Sequence, residues 1–196
     1  MNIKICGNQT KESVDTAVQY GATHIGFILS AGYKRSVSTD KVVSMAADVP
    51  ASVKKVGVFV NEDIATVEKL SAAAKIDIVQ LHGKEDQLYI NKLTLPVIKV
   101  ISSVSESTKY AENVLLLIDH EAGKSGASID RNQDFSLIRQ KFMIAGGLVP
   151  ETVAETVRYF RQYPNFIGVD VSSGVESDGQ KNAEKIKSFI KNARET

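Results

Sequence analysis

Several features are scarce in this 196-residue sequence, and each scarcity removes a class of protein. The single cysteine excludes an internal disulfide and a thiolate metal cluster, and the three scattered histidines show no metal-ligand spacing. Charge of one sign is not in excess, since 24 basic and 23 acidic side chains leave a formal net charge of +1. A nucleic-acid or membrane partner would need a clustered basic excess, so neither is expected.

The sequence also has no long apolar stretch and no recognisable targeting signal. The run "VLLLI" at 114–118 is far too short to span a membrane, and no charged-then-apolar leader opens the chain. With one cysteine, the expected setting is a reducing cytoplasm. The first apolar run is not followed by G-x-G-x-x-G, which leaves a dinucleotide-binding fold with little support.

Short apolar runs alternate regularly with longer amphipathic segments along the whole chain. Continuous apolar strands separated by helices indicate a parallel sheet that is buried on both faces. Eight such units closing on themselves form a compact (β/α)8 barrel, here one domain over residues 1–196, with an open doubly wound sheet as the alternative. The predicted strands are residues 3–6, 23–29, 53–60, 77–83, 96–101, 114–119, 141–147 and 166–174.

In such a barrel, chemistry is located at the C-terminal ends of the strands. Side chains alternate along a strand, so Lys4 shares a face with Cys6, and Leu117 shares a face with Asp119. If the leucines of the sixth strand fill the barrel, Asp119 points into its mouth, where a carboxyl and a thiol can face each other. The plainer interpretations are that Cys6 is a small buried hydrophobe and that Asp119 caps a loop or pairs with Lys4.

Three other polar residues at these ends have two interpretations each. Arg35, in the loop after the second strand, is either a solvated charge or an anion clamp. His82 ends the fourth strand, and a hydrogen-bonded structural role is favoured over that of a base. Asp170 ends the eighth strand and is structural if it pairs with Lys4 or caps the final turn.

Glycine and serine pairs follow the last two strands. Gly146 and Gly147 come after the seventh, and Ser172 and Ser173 come after the eighth. Many barrels bind phosphate at these positions, because glycine lets backbone N–H groups approach an anion. Two tight turns are the alternative, but a phosphate site is favoured.

Eight motifs occur in an order that is highly specific. They are "KICG", "GFI", "KRSVS", "VGVFVN", "VQLHG", "LLLID", "AGGL" followed one residue later by proline, and "VDVSSGVE". Together they closely resemble the phosphoribosylanthranilate isomerase family of tryptophan biosynthesis, over nearly the whole chain.

The resemblance implies a (β/α)8 barrel that uses no metal and no organic cofactor. It implies conversion of N-(5-phosphoribosyl)anthranilate to 1-(2-carboxyphenylamino)-1-deoxyribulose 5-phosphate, an Amadori rearrangement. By match, Cys6 is the general base, Asp119 is the general acid, and Arg35 holds the anthranilate carboxylate. The residues in the matching phosphate-binding segments are Gly146, Gly147, Ser172 and Ser173, and the further candidate pocket residues are His82 and Asp170.

The sequence departs from the family at a few positions. The loop after Asp119 differs most, so the residues of 120–134 that contact substrate are not predicted. Asparagine and glutamine at 8–9 replace the common isoleucine and threonine, Val149 replaces a usual asparagine, and Asn182 stands where aspartate is common. The acid–base pair is retained.

Two other functions remain open. One is a different sugar-phosphate enzyme on the same barrel, such as an epimerase or an aminoaldose isomerase with another amine, and the fold cannot exclude it. Arg35 together with Cys6 and Asp119 argues against that alternative. The other is a phosphate-ligand binder without turnover, which predicts the loss of Cys6 or Asp119. Members of the family occur as monomers and dimers, and a monomer is preferred here.

Overall fold

A closed barrel of eight parallel strands forms the centre of the computed structural model, which describes residues 1–119 and 132–195. The strands follow chain order around the barrel, and β1 pairs with both β2 and β8, which closes it. The (β/α)8 barrel is therefore confirmed and the open sheet excluded. The strands are β1 Asn2–Ile5, β2 His24–Ile28, β3 Lys54–Phe59, β4 Ile78–Leu81, β5 Val97–Ile101, β6 Leu115–Asp119, β7 Phe142–Ala145 and β8 Phe166–Val171.

The helical layer is less regular than the amphipathic pattern predicts. The α-helices are α1 Lys11–Tyr20, α2 Thr39–Met45, α3 Ile64–Ala73, α4 Gln87–Ile90, α5 Val153–Phe160 and α6 Ala183–Arg194. Helix α4 is a single turn, and the chain leaves it through 3₁₀-type bonds from the Lys92 and Leu93 N–H groups to the carbonyls of Tyr89 and Ile90. Short 3₁₀ helices follow β5, β6 and β8, at Val104–Lys109, Phe135–Leu137 and Ser173–Val175.

Three strands end two or three residues earlier than the apolar runs suggest, namely β4, β7 and β8. β7 stops at Ala145 because Gly146 and Gly147 both have positive φ, 88° and 63°, which turns the chain out of the sheet. β8 stops at Val171. The chain then forms a small antiparallel hairpin that the sequence pattern does not predict, β9 Glu176–Ser177 with β10 Gln180–Lys181.

Alternation along the strands divides the apolar residues into two layers. A small cluster inside the barrel is separate from the larger one between strands and helices, and Leu115 and Leu117 of β6 belong with the inner cluster. Asp119, two residues further on the same face, therefore lies on the inner side at the mouth. The buried members of the inner cluster are Val56, Ile98, Val100, Leu117, Met143 and Ala145.

A buried ion pair holds the loop that follows β4. The Lys99 ammonium lies 2.9 Å from a Glu85 carboxylate oxygen and donates to the Gly83 carbonyl at 2.6 Å. Glu85 in turn accepts from the backbone N–H groups of Asn61 and Gly83. These bonds join the ends of β3, β4 and β5, so the segment next to His82 is fixed. In the part of the chain that the structure describes, no helix is long and apolar enough to cross a membrane.

The loops after β7 and β8 meet backbone to backbone. A β-carbon on Gly174 would collide with the Leu148 carbonyl oxygen, and it would lie 3.2 Å from a Val149 methyl. We expect Gly174→Ala to lower the free energy of unfolding by about 1–3 kcal/mol, because the backbone must shift to relieve the collision. Urea unfolding monitored by circular dichroism tests this, and an unchanged midpoint would contradict it.

Candidate active site

The first strand places a lysine and the single thiol on the inner side of the barrel. Lys4 is fully buried, and its ammonium lies 2.9 Å from Asp170 Oδ1 on the neighbouring β8. Cys6 is 7% exposed, and its backbone N–H continues the ladder to the Val171 carbonyl at 2.8 Å. Burial alone would lower the pKa of Lys4, but the charges of Asp170 and Cys6 outweigh it and raise the pKa. The ammonium therefore stays charged beside the thiol.

A glycine on β2 makes room for this pair. A β-carbon on Gly26 would lie 2.8 Å from Cys6 Sγ and 3.2 Å from Lys4 Cε. Sγ therefore rests against the β2 backbone. Asn8 also binds there, donating from its side-chain amide to the carbonyls of Ile5 and Gly26 at 2.8 and 3.2 Å. The asparagine that departs from the family thus ties β1 to β2 just beyond the thiol.

The Glu176 carboxylate holds the Arg35 guanidinium through two hydrogen bonds. Its Nε donates to Glu176 Oε1 at 2.6 Å, and its Nη2 donates to Oε2 at 2.8 Å, a bidentate pair. Hydrogen bonding to Glu176 raises the Arg35 pKa. The Arg35 stem crosses Gly7, where a β-carbon would lie 2.7 Å from Cδ. Arg35 is thus a fixed cation next to the Cys6 segment, and a freely solvated charge is excluded.

Lys181 adds a second cation on the same carboxylate. Its ammonium lies 2.7 Å from Glu176 Oε1 and donates to the Ser172 carbonyl at 2.9 Å, with its side chain 4% exposed. Burial lowers the Lys181 pKa, while Glu176 opposes this shift. Burial would raise the Glu176 pKa, but its bonds to Arg35 and Lys181 lower it, so the carboxylate stays ionised.

Asp119 and His82 lie on the other side of the mouth, at the ends of β6 and β4. Both are partly buried. Burial lowers the pKa of His82, and the negative charges of Asp119 and Asp170 oppose this shift. Gln80, two residues before His82 and 2% exposed, has a buried Oε1 without a hydrogen-bond partner in residues 1–119 and 132–195. Such an acceptor is available to a ligand donor.

The loops that carry the glycine and serine pairs contact each other, and the serine loop also contacts the Cys6 backbone. Gly146 and Gly147 leave β7 with positive φ, and the loop that follows contacts the Ser172–Gly174 turn through the Gly174 backbone. Ser172 Oγ donates to the Cys6 carbonyl at 3.2 Å, so this hydroxyl already has an acceptor. Ser173 begins the 3₁₀ helix and is exposed. The two predicted phosphate segments thus form one continuous surface.

The structure brings the predicted residues together at one end of the barrel. Cys6, Arg35, Ser172 and Asp170 form one side, and Asp119 with His82 forms the other. Sequence reasoning missed Glu176 and Lys181, although the "SGVE" motif contains the first of them. Within the described ranges, no group of three or more His, Cys, Asp or Glu could hold a metal ion. The residues of 120–131 lie outside the described residues.

A cleft of about 550 Å³ lies at the opposite end of the barrel and contains none of the predicted residues. It is lined by the start of the chain and the beginnings of β7 and β8, including Asn2, Lys141 and Phe166. Chemistry in parallel barrels is found at the other end, where the strands finish. We therefore assign the candidate site to the mouth around Cys6.

His24, opposite Lys4 on β2, provides a pH test of this interior. Burial, together with the positive charge of Lys4, lowers its pKa from 6.5 to about 4. Between these two pH values the unfolded chain binds a proton at His24 that the folded protein does not bind. The free energy of unfolding therefore falls as the pH drops from about 6.5 toward 4. Between pH 7 and pH 5 we expect His24 to contribute a loss of at most about 2 kcal/mol.

Urea unfolding at the two pH values measures this loss. His24→Gln should reduce the difference between pH 7 and pH 5, since the amide does not titrate. An equal loss in the wild type and the variant would show that His24 is not responsible.

The fold and this mouth define the class of protein, a (β/α)8-barrel enzyme with its pocket at the strand ends. The family described as "N-(5'phosphoribosyl)anthranilate (PRA) isomerase" matches residues 3–192, and the chain belongs to this family. A relative named N-(5'-phosphoribosyl)anthranilate isomerase from Streptococcus gordonii is 40% identical over 200 residues, covering 98% of this chain and 97% of the relative. One with the same name from Listeria monocytogenes is 41% identical over 208 residues, covering 99% and 98%.

Solved structures of phosphoribosyl anthranilate isomerases are also similar to this chain. Phosphoribosyl anthranilate isomerase from Thermotoga maritima is 31% identical, with a TM-score of 0.85 and full coverage of both chains. A phosphoribosyl anthranilate isomerase in complex with reduced 1-(o-carboxyphenylamino)-1-deoxyribulose 5-phosphate is 28% identical, with a TM-score of 0.82 and full coverage of both. The ligand of that protein has a phosphate at one end and a carboxylate at the other.

Proposed function

We propose that this protein is a phosphoribosylanthranilate isomerase that acts in tryptophan biosynthesis. It converts N-(5-phosphoribosyl)anthranilate to 1-(2-carboxyphenylamino)-1-deoxyribulose 5-phosphate. The observation that carries the proposal is the full-length family match together with the retained thiol and carboxyl at the ends of β1 and β6. These strands are three apart around an eight-strand barrel, so the two groups approach a bound sugar from different sides.

The first step opens the sugar ring. The substrate is a ribosylamine in which the ring oxygen leaves C1 as the anilino nitrogen forms an imine. Asp119 in its protonated form gives its proton to that oxygen, which avoids the expulsion of an alkoxide. The product of this step is an open-chain, protonated imine whose positive charge acidifies the hydrogen on C2.

The second step removes that hydrogen. A thiolate at Cys6 takes the C2 proton, and the resulting enol-amine tautomerises to the ketone. Three cations and two carboxylates lie beside the thiol, so this part of the pocket has one positive charge in excess. That excess favours the binding of an anionic substrate. Proton transfers alone complete the reaction, so the proposed mechanism uses no metal and no organic cofactor.

Two anchors hold the substrate across the pocket. Arg35 binds the anthranilate carboxylate, and the surface formed by Gly146, Gly147, Ser172 and Ser173 binds the phosphate. Holding a flexible sugar at both ends limits where C2 can lie relative to Sγ, which is worth several orders of magnitude in effective concentration. Gln80 offers its buried oxygen to a sugar hydroxyl, and His82 and Asp170 act as pocket residues rather than as acid or base.

The setting that we propose is a monomer in the cytoplasm, working as one domain over residues 1–196. A thiol that acts as a base must stay reduced, which supports a reducing compartment. Among the described residues, the exposed large apolar side chains are dispersed along the chain, at Met1, Tyr20, Tyr33, Leu88 and Leu137, which supports the monomer. Analytical ultracentrifugation at micromolar concentration tests the monomer directly.

The test of the function is fluorescence decay of the substrate generated in situ. Wild-type protein should remove the anthranilate-type fluorescence catalytically. A parallel reaction with a ribosylamine of aniline, which lacks the carboxylate, should run far more slowly. Equal rates with both amines would favour the broader aminoaldose isomerase, and no turnover with either would refute the proposal.

A further inference from the structure

The bond between Arg35 and Glu176 uses only one edge of the guanidinium. Nε and one hydrogen of Nη2 are directed at the two Glu176 oxygens, 2.6 and 2.8 Å away. The other edge, formed by Nη1 and the second hydrogen of Nη2, has no protein acceptor in residues 1–119 and 132–195. That edge alone can still form two parallel bonds to a planar carboxylate.

Glu176 is itself held firmly. Its carboxylate is 8% exposed and accepts from Lys181, and its backbone carbonyl accepts from Lys185 Nζ at 2.7 Å. It begins the hairpin β9–β10, which places this acid at a fixed point above β8. Because Glu176 is fixed at both its carboxylate and its backbone, it can set the orientation of Arg35 rather than adapt to it.

The stem of Arg35 is fixed at its other end by Gly7. This glycine has φ of +73°, and the Arg35 Cδ occupies the space that its β-carbon would need. The side chain therefore passes over the segment directly after Cys6 before reaching Glu176. Contact along the stem and the bidentate bond together leave the guanidinium plane little freedom.

We infer that Glu176 is a positioning residue for substrate recognition, because it holds Arg35 with one edge open to the aromatic carboxylate. The inference rests on the proposed function. Lys181 supports it by placing a second cation on Glu176, so that Arg35, Lys181 and Glu176 together carry one positive charge and the acid does not repel the incoming carboxylate as a free anion would. Without Glu176, Arg35 keeps its charge, but its guanidinium is no longer held with the open edge toward the ligand carboxylate.

The test compares two ligands across a set of variants. The ligands are the product, 1-(2-carboxyphenylamino)-1-deoxyribulose 5-phosphate, and the phenylamino compound that lacks the carboxylate. The variants are Glu176→Gln, which keeps the shape, Glu176→Ala, and each of these combined with Arg35→Met. Glu184→Gln on α6 is the matched control, because this glutamate is 80% exposed and lies in a surface ion pair. Titration calorimetry gives the dissociation constants.

We expect both single variants to weaken binding of the carboxylate ligand by about 10- to 100-fold. Binding of the phenylamino ligand should change by less than about twofold, since this ligand has no carboxylate to bind the open edge. Both affinities of the control should change as little, since Glu184 pairs with Lys187 and not with Arg35. In the Arg35→Met background the Glu176 changes should have almost no effect, because there is no guanidinium left to orient. KM should rise with little change in kcat.

Three results would overturn the inference. The first is an equal loss of affinity for both ligands, which would mean that Glu176 only supports the fold. The second is a Glu176 effect of the same size without Arg35. The third is a wild-type protein that catalyses the reaction but binds the two ligands equally, which leaves the isomerase function intact while refuting the role of Arg35 and Glu176. A wild type with neither turnover nor binding refutes both.

Discussion

Replacing Cys6 by serine is expected to lower kcat by about 10²- to 10⁴-fold. Serine occupies nearly the same space at the end of β1, so the packing against Gly26 is kept. A hydroxyl holds its proton far more tightly than a thiol does, so the base that we propose for the C2 hydrogen is lost. The surrounding cations Lys4, Arg35 and Lys181 stay in place to bind the anionic substrate. KM should therefore change little.

The substrate fluorescence decay gives kcat and KM for Cys6→Ser. Calorimetric binding of the product serves as the control for the fold, and it should match the wild type within about twofold, because no group that contacts the ligand's charges has changed. A Cys6→Ser protein with full turnover would show that another group removes the C2 proton. A protein that neither turns over nor binds product would indicate damage to the barrel instead.

The second large effect is expected for Asp119→Asn, a fall in kcat of about 10²- to 10⁴-fold. The amide is nearly isosteric and stays at the end of β6, but it cannot give a proton to the ring oxygen. Ring opening then becomes the slow step, whereas removal of the C2 proton by Cys6 is unaffected. A substrate whose ring has already been opened should therefore recover much of its rate with this variant.

Asp48→Asn is a suitable control for the loss of one carboxylate, since Asp48 is 79% exposed and pairs with Lys11 at the surface. Asp48→Asn should leave kcat and KM unchanged. If Asp119→Asn keeps the wild-type rate, the general acid lies elsewhere, and His82 becomes the candidate because it is near Asp119 and titrates under its influence.

The positions of these two groups could be predicted from the sequence because local periodicity decides them. Alternation along β6 places Leu115, Leu117 and Asp119 on one face, and the apolar pair identifies that face as the inner one. The same argument applies to Lys4 and Cys6 on β1. The pairing of Lys4 with Asp170 was one of two interpretations of that aspartate, and the 2.9 Å separation decides for it.

The support for Arg35 could not be predicted in this way. Glu176 lies 141 positions away in the sequence, and no periodicity relates an exposed loop to a two-residue strand. Hairpins as short as β9–β10 have too few residues to show alternation. A hydrogen bond between such distant segments leaves no mark in the local pattern of either one.

Because β1 pairs with β8, the barrel cannot close until the eighth strand has been synthesised. The chain emerges from the ribosome with Lys4 and Cys6 first, and Asp170 follows 166 residues later. Until then one edge of β1 has no neighbour, and an apolar strand with an open edge is a template for wrong pairing. The surroundings of the thiol are completed only when β8 docks, so a nascent chain carries Cys6 without the Lys4–Asp170 ion pair beside it until the eighth strand has been made.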